Sequence, residues 1–376
     1  MTTANETLDT LRTRLRSGAQ TATHCLTLTL PDARLRICTD QPALARILSD
    51  YFAPCLTEAP SNKPPTLSLV ALDGADTLGM GEQWEDWQRE PGKTGRKDTI
   101  FDPAPDERWV YKVKTGMLFW QNADQPSALG PVTKHPNQII NFALTQYLNH
   151  CLNQGWQLGH CAALQIQNQG LAIAGLSGGG KSTLMLHLLE QGQAFVSNDR
   201  LLIRPDTRPG EFCMRGIPKW PRVNPGTLMH NPRLKPLLSD TAQAELAKLP
   251  GEALRSLEQK YDVEIERFYG PDFIRMETPL HALIVLNWSV DAAEPTRLRI
   301  TTLAQSPELL PALSKSPGPF FANIAASHKA GHFLKNGTQP DAQSYLNALG
   351  DLRCWVLEGQ LNFDRATALI LDALNT

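Results

Sequence analysis

No long apolar run occurs in this chain. Its strongest apolar stretches, Leu171 to Leu176 and Ala282 to Leu286, fall far short of the ~20 residues needed to span a bilayer, so no membrane partner is expected. The opening residues, Met1 to Ser17, lack the apolar core of a secretory signal. Cysteine is scarce and scattered: the seven, at 25, 38, 55, 151, 161, 213 and 354, contain no CxxC pair. That spacing argues against a disulfide framework or a zinc knuckle, and the expected setting is a reducing cytoplasm. Each cysteine reads as a small buried apolar residue. Net charge is nearly absent as well, with 36 Lys+Arg against 38 Asp+Glu for a formal −2. Such a balance sets up no global field toward nucleic acid or an anionic surface. With 41% hydrophobic and 20% charged residues, a disordered tail, a coiled coil and a collagen-like fibre are excluded. Proline is in excess, 28 of 376 residues, which points to long structured loops. The length is enough for two compact domains.

Alternation and turn signals divide the chain near residue 130. Residues 1–130 read as an α+β domain of unknown role, with strands at Cys25 to Leu30, Arg34 to Cys38, Leu67 to Ala71, Trp109 to Val113 and Met117 to Trp120, and a helix at Pro42 to Tyr51. The stretch 84–107 reads as an exposed loop. Trp84, Trp87 and Trp120 could form a peptide-binding face, although single tryptophans more often pack a core. Residues 131–376 begin with a helix, Gln138 to Leu152, and two short strands, Cys161 to Ile166 and Leu171 to Ala174. Then come a strand from Ala194 to Ile203, a Pro-rich loop over 205–236, an acidic helical pair over 241–267 and a buried strand, Ala282 to Trp288. The last ~70 residues read as mostly helical.

One stretch carries chemistry. Residues 175–182, Gly-Leu-Ser-Gly-Gly-Gly-Lys-Ser, fit the Walker A pattern, entered by an apolar strand and followed by a helix with apolar residues at 184, 185, 188 and 189. Glycines let successive backbone N–H groups turn inward on an anion, and the helix aims the positive end of its dipole at the same point. Gly175, Ser177, Gly178, Gly179, Gly180, Lys181, Ser182 and Thr183 are therefore the expected ATP-binding set. Lys181 would reach the β and γ phosphates, and the Ser182 hydroxyl would ligate Mg²⁺. Leu176-Ser-Gly-Gly resembles the helical-domain motif of transport ATPases, but it lies inside the phosphate loop and cannot serve both roles. Nor does the later apolar strand end in aspartate, since Asn287 stands there.

Asn198 and Asp199 follow Lys181 by seventeen and eighteen residues, closing the Phe195-Val196 run. A carboxylate there could hold Mg²⁺ or take a proton from an attacking hydroxyl. His160 opens the strand pair twenty-one residues before the lysine, a place where a lone histidine is more often a capping or surface residue than a functional one.

Gly159-His160, the hairpin after it, the Gly-Leu-Ser-Gly-Gly-Gly-Lys-Ser-Thr loop, Gln191-Gly192 and Phe195-Val-Ser-Asn-Asp199 together resemble bacterial HPr kinase/phosphorylase, and in particular the looser set of HPr-kinase-related proteins. The resemblance is specific over about 159–203, faint over 211–226 and absent from the N-terminal region. It implies an α/β fold with a P-loop kinase core of the HPr kinase and phosphoenolpyruvate carboxykinase type, behind the N-terminal α+β domain. It implies an ATP- and Mg²⁺-dependent kinase whose acceptor is a serine of a protein or peptide. Carried over, Lys181 and Ser182 serve ATP and metal, Asp199 joins Ser182 at the metal and takes the acceptor proton, and His160 orients the acidic site. The family has two adjacent aspartates where this chain has Asn198 and Asp199, and Thr183 replaces a common glutamate. In the family's Glu-x-Arg-Gly block this chain has Cys213-Met-Arg215-Gly216, with Glu211 nearby, so Arg215 is the candidate for charge stabilisation on the phosphoryl group. The kinase family tends to hexamers, which leaves a homo-oligomer open.

From 200 to 235 eight Lys/Arg face two acids, a local +6, and Lys219, Arg222 and Asn224 sit on a proline-stiffened loop. Such a loop could clamp a γ-phosphate or an anionic acceptor, or be a rigid connector. Nucleic acid is not the expected partner, since only Trp220 interleaves with these charges. Two rival functions stay open: a nucleotide-gated binding protein with slow ATP hydrolysis, and a small-molecule kinase.

Overall fold

The computed structural model describes residues 2–57, 64–74, 77–89, 94–175, 179–257, 259–323 and 333–375. The chain is a mixed α/β protein that divides into two units, residues 1–154 with 316–339, and residues 155–315 with 340–376. The expected break at 130 is therefore corrected. The helix Pro136–Leu152 buries ten side chains, among them Ile139, Phe142 and Tyr147, and packs on the first sheet, so it stays with the first unit. Among the described residues no helix is long and apolar enough to cross a membrane.

In the first unit α1 (Thr2–Thr21) turns Leu8, Leu11 and Leu15 inward, a helical spacing that makes one apolar stripe. The strands are β1 (His24–Leu30), β2 (Ala33–Thr39), β3 (Leu67–Asp73), β4 (Glu85–Asp86), β5 (Asp98–Ala104), β6 (Glu107–Lys112), β7 (Met117–Asn122) and β8 (Ser127–Gly130). They form one sheet in the order β1-β2-β3-β8-β7-β6-β5-β4, with α2 (Pro42–Tyr51) and α3 (Pro136–Leu152) against it. Two expectations change here. Part of the supposed loop over 84–107 is strand β5, hydrogen-bonded to β6. And Cys25, directly opposite Cys38 in the β1–β2 ladder, is joined to it by a disulfide, where none was expected. Trp120 stacks on buried Trp109 at 5.6 Å and Trp84 on Phe101 at 5.7 Å, so both belong to packing.

The second unit holds β9 (Gln157–Gly159), β10 (Ala162–Ile166), β11 (Gln169–Gly175), β12 (Ala194–Ser197), β13 (Leu201–Pro205), β14 (Phe212–Arg215), β15 (Arg222–Val223), β16 (Tyr261–Asp262), β17 (Glu277–Ser289), β18 (Arg297–Thr302) and β19 (Arg353–Gln360). The strand expected over 194–203 is two strands at different places in the sheet, β12 beside β10 and β13 between β14 and β9, and the run is broken at Asp199, which adopts a left-handed φ of 77°. The C-terminal region, expected to be mostly helical, contributes β19. The thirteen-residue β17 organises the sheet. One edge runs parallel to β11, and the other pairs antiparallel with β14 and then parallel with β19. Parallel neighbours bring their C-terminal ends to one side, the side on which open α/β sheets gather their ligands.

Gly216 lies at a close approach of two segments. A Cβ on it would stand 2.0 Å from the Val196 carbonyl oxygen, and its N–H donates to the Met276 carbonyl at 2.8 Å. Backbone cannot yield as a flexible side chain does, so Gly216→Ala is expected to cost about 2–3 kcal/mol in urea unfolding. An unchanged midpoint would mean that residues 196 and 216 separate freely.

Candidate functional site

Strand β11 ends at Gly175, and α4 (Lys181–Leu189) starts six residues later. Ser177 and Gly178 of the expected set lie outside the described residues. Gly180 caps the helix at φ 91°, a conformation glycine adopts without a Cβ penalty, and a Cβ there would also press on Phe363 at 3.0 Å. The Trp288 indole N–H donates to the Gly179 carbonyl at 3.0 Å, tying the turn to the end of β17. Lys181 Nζ donates back across the turn to the Gly175 carbonyl at 2.8 Å. Burial holds this ammonium below the ordinary lysine range, with Lys315 and Lys260 adding to the effect and Asp199 opposing it. Thr183 pairs its hydroxyl with that of Thr227 at 3.0 Å.

The Ser182 hydroxyl donates to Asn198 Oδ1 at 2.8 Å, and Asn198 is only 7% exposed. Thus the asparagine, and not Asp199, meets the serine. Asp199 instead presents its carboxylate to His160, whose Nε2 lies 3.2 Å from Oδ1, and to Lys315, whose Nζ lies 3.8 Å from the same oxygen. Desolvation alone would raise this carboxyl, but the His160 hydrogen bond and the charges of Lys315 and Arg200 outweigh it and hold it well below the usual carboxylate range. Expressed as stability, a depressed carboxyl favours the fold above pH ~4 and loses that contribution as pH falls toward its folded value.

Lys315 and Asn198 are the site residues that sequence reasoning missed. Asn198 stands in the place of an aspartate in the sequence pattern, and at the end of β12 it meets the Ser182 hydroxyl. Lys315 has no motif around it. It arrives through tertiary pairing: Ser314 bridges Gly159, the His160 N–H donates to the Leu313 carbonyl at 2.7 Å, and the Lys315 N–H donates to the Leu158 carbonyl at 3.2 Å.

Arg215 is corrected in the other direction. Its side chain is 1% exposed, ion-paired to Glu277 on the adjoining strand, and its guanidinium lies 4.3 Å from the Trp156 ring centre. Arg204 covers Trp156 at 4.3 Å as well, so the indole is held between two guanidiniums. The arginine expected to stabilise charge on the phosphoryl group is a packing residue of the sheet. Cys213 has its thiol pushed up to about 12 by burial and then by the Glu277 charge, so it stays neutral. Glu211 pairs with Arg208 at 2.6 Å. Of the basic loop, Arg222 pairs with Asp262 at 3.3 Å, whereas Lys219 is lowered by burial while the Asp199 charge opposes that shift.

Ser182 Oγ, Asn198 Oδ1 and the Asp199 carboxylate are hard oxygen donors, the class Mg²⁺ prefers. The first two lie 2.8 Å apart, close to the ~3 Å between adjacent oxygens of an octahedral shell with bonds of about 2.1 Å. Among the described residues no group of three or more His, Cys, Asp or Glu side chains gathers as a metal site.

No family model matches the chain, and no curated protein does. Among solved structures it is similar to the Hpr(Ser) kinase/phosphatase from Coxiella burnetii, with a TM-score of 0.28 and 11% identity, covering 58% of this chain and 95% of that one. A likeness this slight assigns no chemistry.

Replacing Arg215 tests its place in the sheet. Arg215→Met would leave Glu277 without its cation and Trp156 with one guanidinium, and is expected to lower stability by about 2–3 kcal/mol in denaturant unfolding. A loss under about 0.5 kcal/mol would show that the arginine is not committed to the core.

Proposed function

We propose that the second unit is an ATP-dependent phosphotransferase that moves the γ-phosphoryl group to a hydroxyl, with a serine of a protein or peptide as the acceptor class. The observation that carries this reading is the meeting of the glycine-rich turn with the Asp199 turn, Ser182 touching Asn198 at 2.8 Å and the Asp199 charge acting on Lys181. The resemblance of residues 159–203 to HPr-kinase-related proteins supports the same assignment.

In this reading the backbone of Gly175, Ser177, Gly178, Gly179 and Gly180 and the Lys181 ammonium hold the triphosphate, with Thr183 at the start of the helix. Ser182, Asn198 and Asp199 would hold Mg²⁺, which supplies charge neutralisation on the phosphate oxygens. The acceptor oxygen attacks the γ-phosphorus in line as the bond from that phosphorus to the bridging β-oxygen breaks, and the acceptor proton passes to the Asp199 carboxylate. His160 orients that carboxylate through its 3.2 Å contact. A carboxylate held so far below its usual range is a weak base, yet phosphoryl transfer through a loose transition state depends chiefly on positioning and charge.

Asn198 in the place of an acid favours a second reading, a nucleotide-binding protein that hydrolyses ATP slowly. Incubation with γ-labelled ATP, Mg²⁺ and candidate acceptors, followed by mass spectrometry, separates the two. Label on a seryl peptide supports transfer, and label on a small hydroxy compound moves the acceptor class. Release of labelled phosphate alone supports the second reading. Lys181→Ala is expected to weaken ATP binding at least a hundredfold. Asp199→Asn is expected to keep ATP affinity within about fivefold while lowering transfer by 10²-fold or more, on the scale of a lost acid–base group. Full transfer in the Asp199 variant would remove that side chain from the reaction.

A further inference from the structure

We propose that Lys315 is a catalytic residue, a cation that joins Lys181 in neutralising the transferring phosphoryl group. This assignment rests on the phosphotransferase reading and gives to Lys315 the part that the sequence pattern suggested for Arg215.

The geometry begins with the backbone. In the antiparallel bridge Gly159 faces Ser314, so Lys315 stands opposite Leu158, and His160 opposite Leu313. Directly opposed residues share a face, and so do alternate residues of one strand. Lys315 and His160 therefore project from the same side, and both side chains reach Oδ1 of Asp199. The backbone hydrogen bonds from residues 160 and 315 fix this register, so the ammonium is delivered by two paired segments and not by a free loop.

The surroundings make it a strong charge. The Lys315 side chain is 9% exposed, in a setting where water screens poorly. At 3.8 Å its contact with Asp199 is Coulombic and too long for a hydrogen bond. Lys181 feels its repulsion, and the fully buried Cys161 thiol, pushed up to about 12 by burial, feels both ammonium groups. Asp199 offsets part of the repulsion between these two like charges, and a further anion between them would offset more. A phosphoryl group in transfer carries charge on three equatorial oxygens, enough to take both the Lys181 and the Lys315 ammonium. Arg215 is excluded from that part by its burial against Glu277 and Trp156.

The test compares binding of two probes to the full chain, a non-hydrolysable ATP analogue with Mg²⁺ and ADP with Mg²⁺ and aluminium fluoride, the latter mimicking the group in transfer. Lys315→Met is expected to bind the ATP analogue within about threefold of the wild type and the aluminium fluoride complex at least tenfold more weakly. Lys315→Arg should restore the second affinity to within about threefold. Equal affinity of the Met variant and the wild type for the aluminium fluoride complex would overturn the proposal while leaving the kinase reading intact. So would a parallel loss of both probes in the Met and Arg variants, which would mark a structural lysine. Failure of the wild type to bind either probe would overturn the phosphotransferase reading and this assignment with it.

Discussion

The Asp199 carboxylate is the charge on which the rest of the site depends. Lys181, Lys219, Arg200 and Lys315 all bear on one region at the strand ends, and each would repel its neighbours without an anion among them. Asp199 supplies that anion through two direct contacts on one oxygen. Its left-handed backbone follows from the same need, since the chain must end β12, turn a carboxylate toward the cations and re-enter the sheet as β13 within three residues. Aspartate tolerates this conformation better than most side chains, because its short polar group can be satisfied locally.

Around that turn the sheet does the positioning. β11 delivers Gly175, β17 delivers Trp288 to hold Gly179, and the β9 segment, stitched to residues 313–315, delivers His160 and Lys315. The aromatic side chains of Trp288 and Phe363 meet edge to face at 5.4 Å beside the glycine-rich turn. They contact the turn at Gly179 and Gly180, which favours the pre-organised dipoles that transition-state stabilisation needs.

How much of this was legible in the sequence depends on how local each signal was. The strand–glycine–helix order around Lys181 is written in one continuous stretch, and so is the β1–β2 hairpin. The apolar run from 194 to 203 hid its own break, because nothing in Phe-Val-Ser-Asn-Asp marks φ > 0 as glycine would. β19 was hidden for another reason. Cys354 to Leu357 are buried throughout, so the strand shows none of the alternation that separates a strand from a helix. The Arg215-Gly216 pair suggests an arginine at the phosphoryl group, but its place is decided by Trp156 and Glu277, which come from distant segments. Lys315 stands in an unremarkable Ser-Lys-Ser and acquires meaning only through its bridge to β9.

The order of strands in the second sheet bears on how the chain emerges from the ribosome. β18 ends at Thr302 and pairs only with β19 among the strands described, yet β19 begins at Arg353. With synthesis at roughly 5–20 residues per second, β18 waits a few seconds or longer beside a β17 edge that is still open. Its exposed face carries Arg297 and Arg299, whose like charges discourage premature pairing with a foreign strand, and Glu358 of the late-arriving β19 accepts both. The electrostatics of that seam thus favour the partner that has not yet been made.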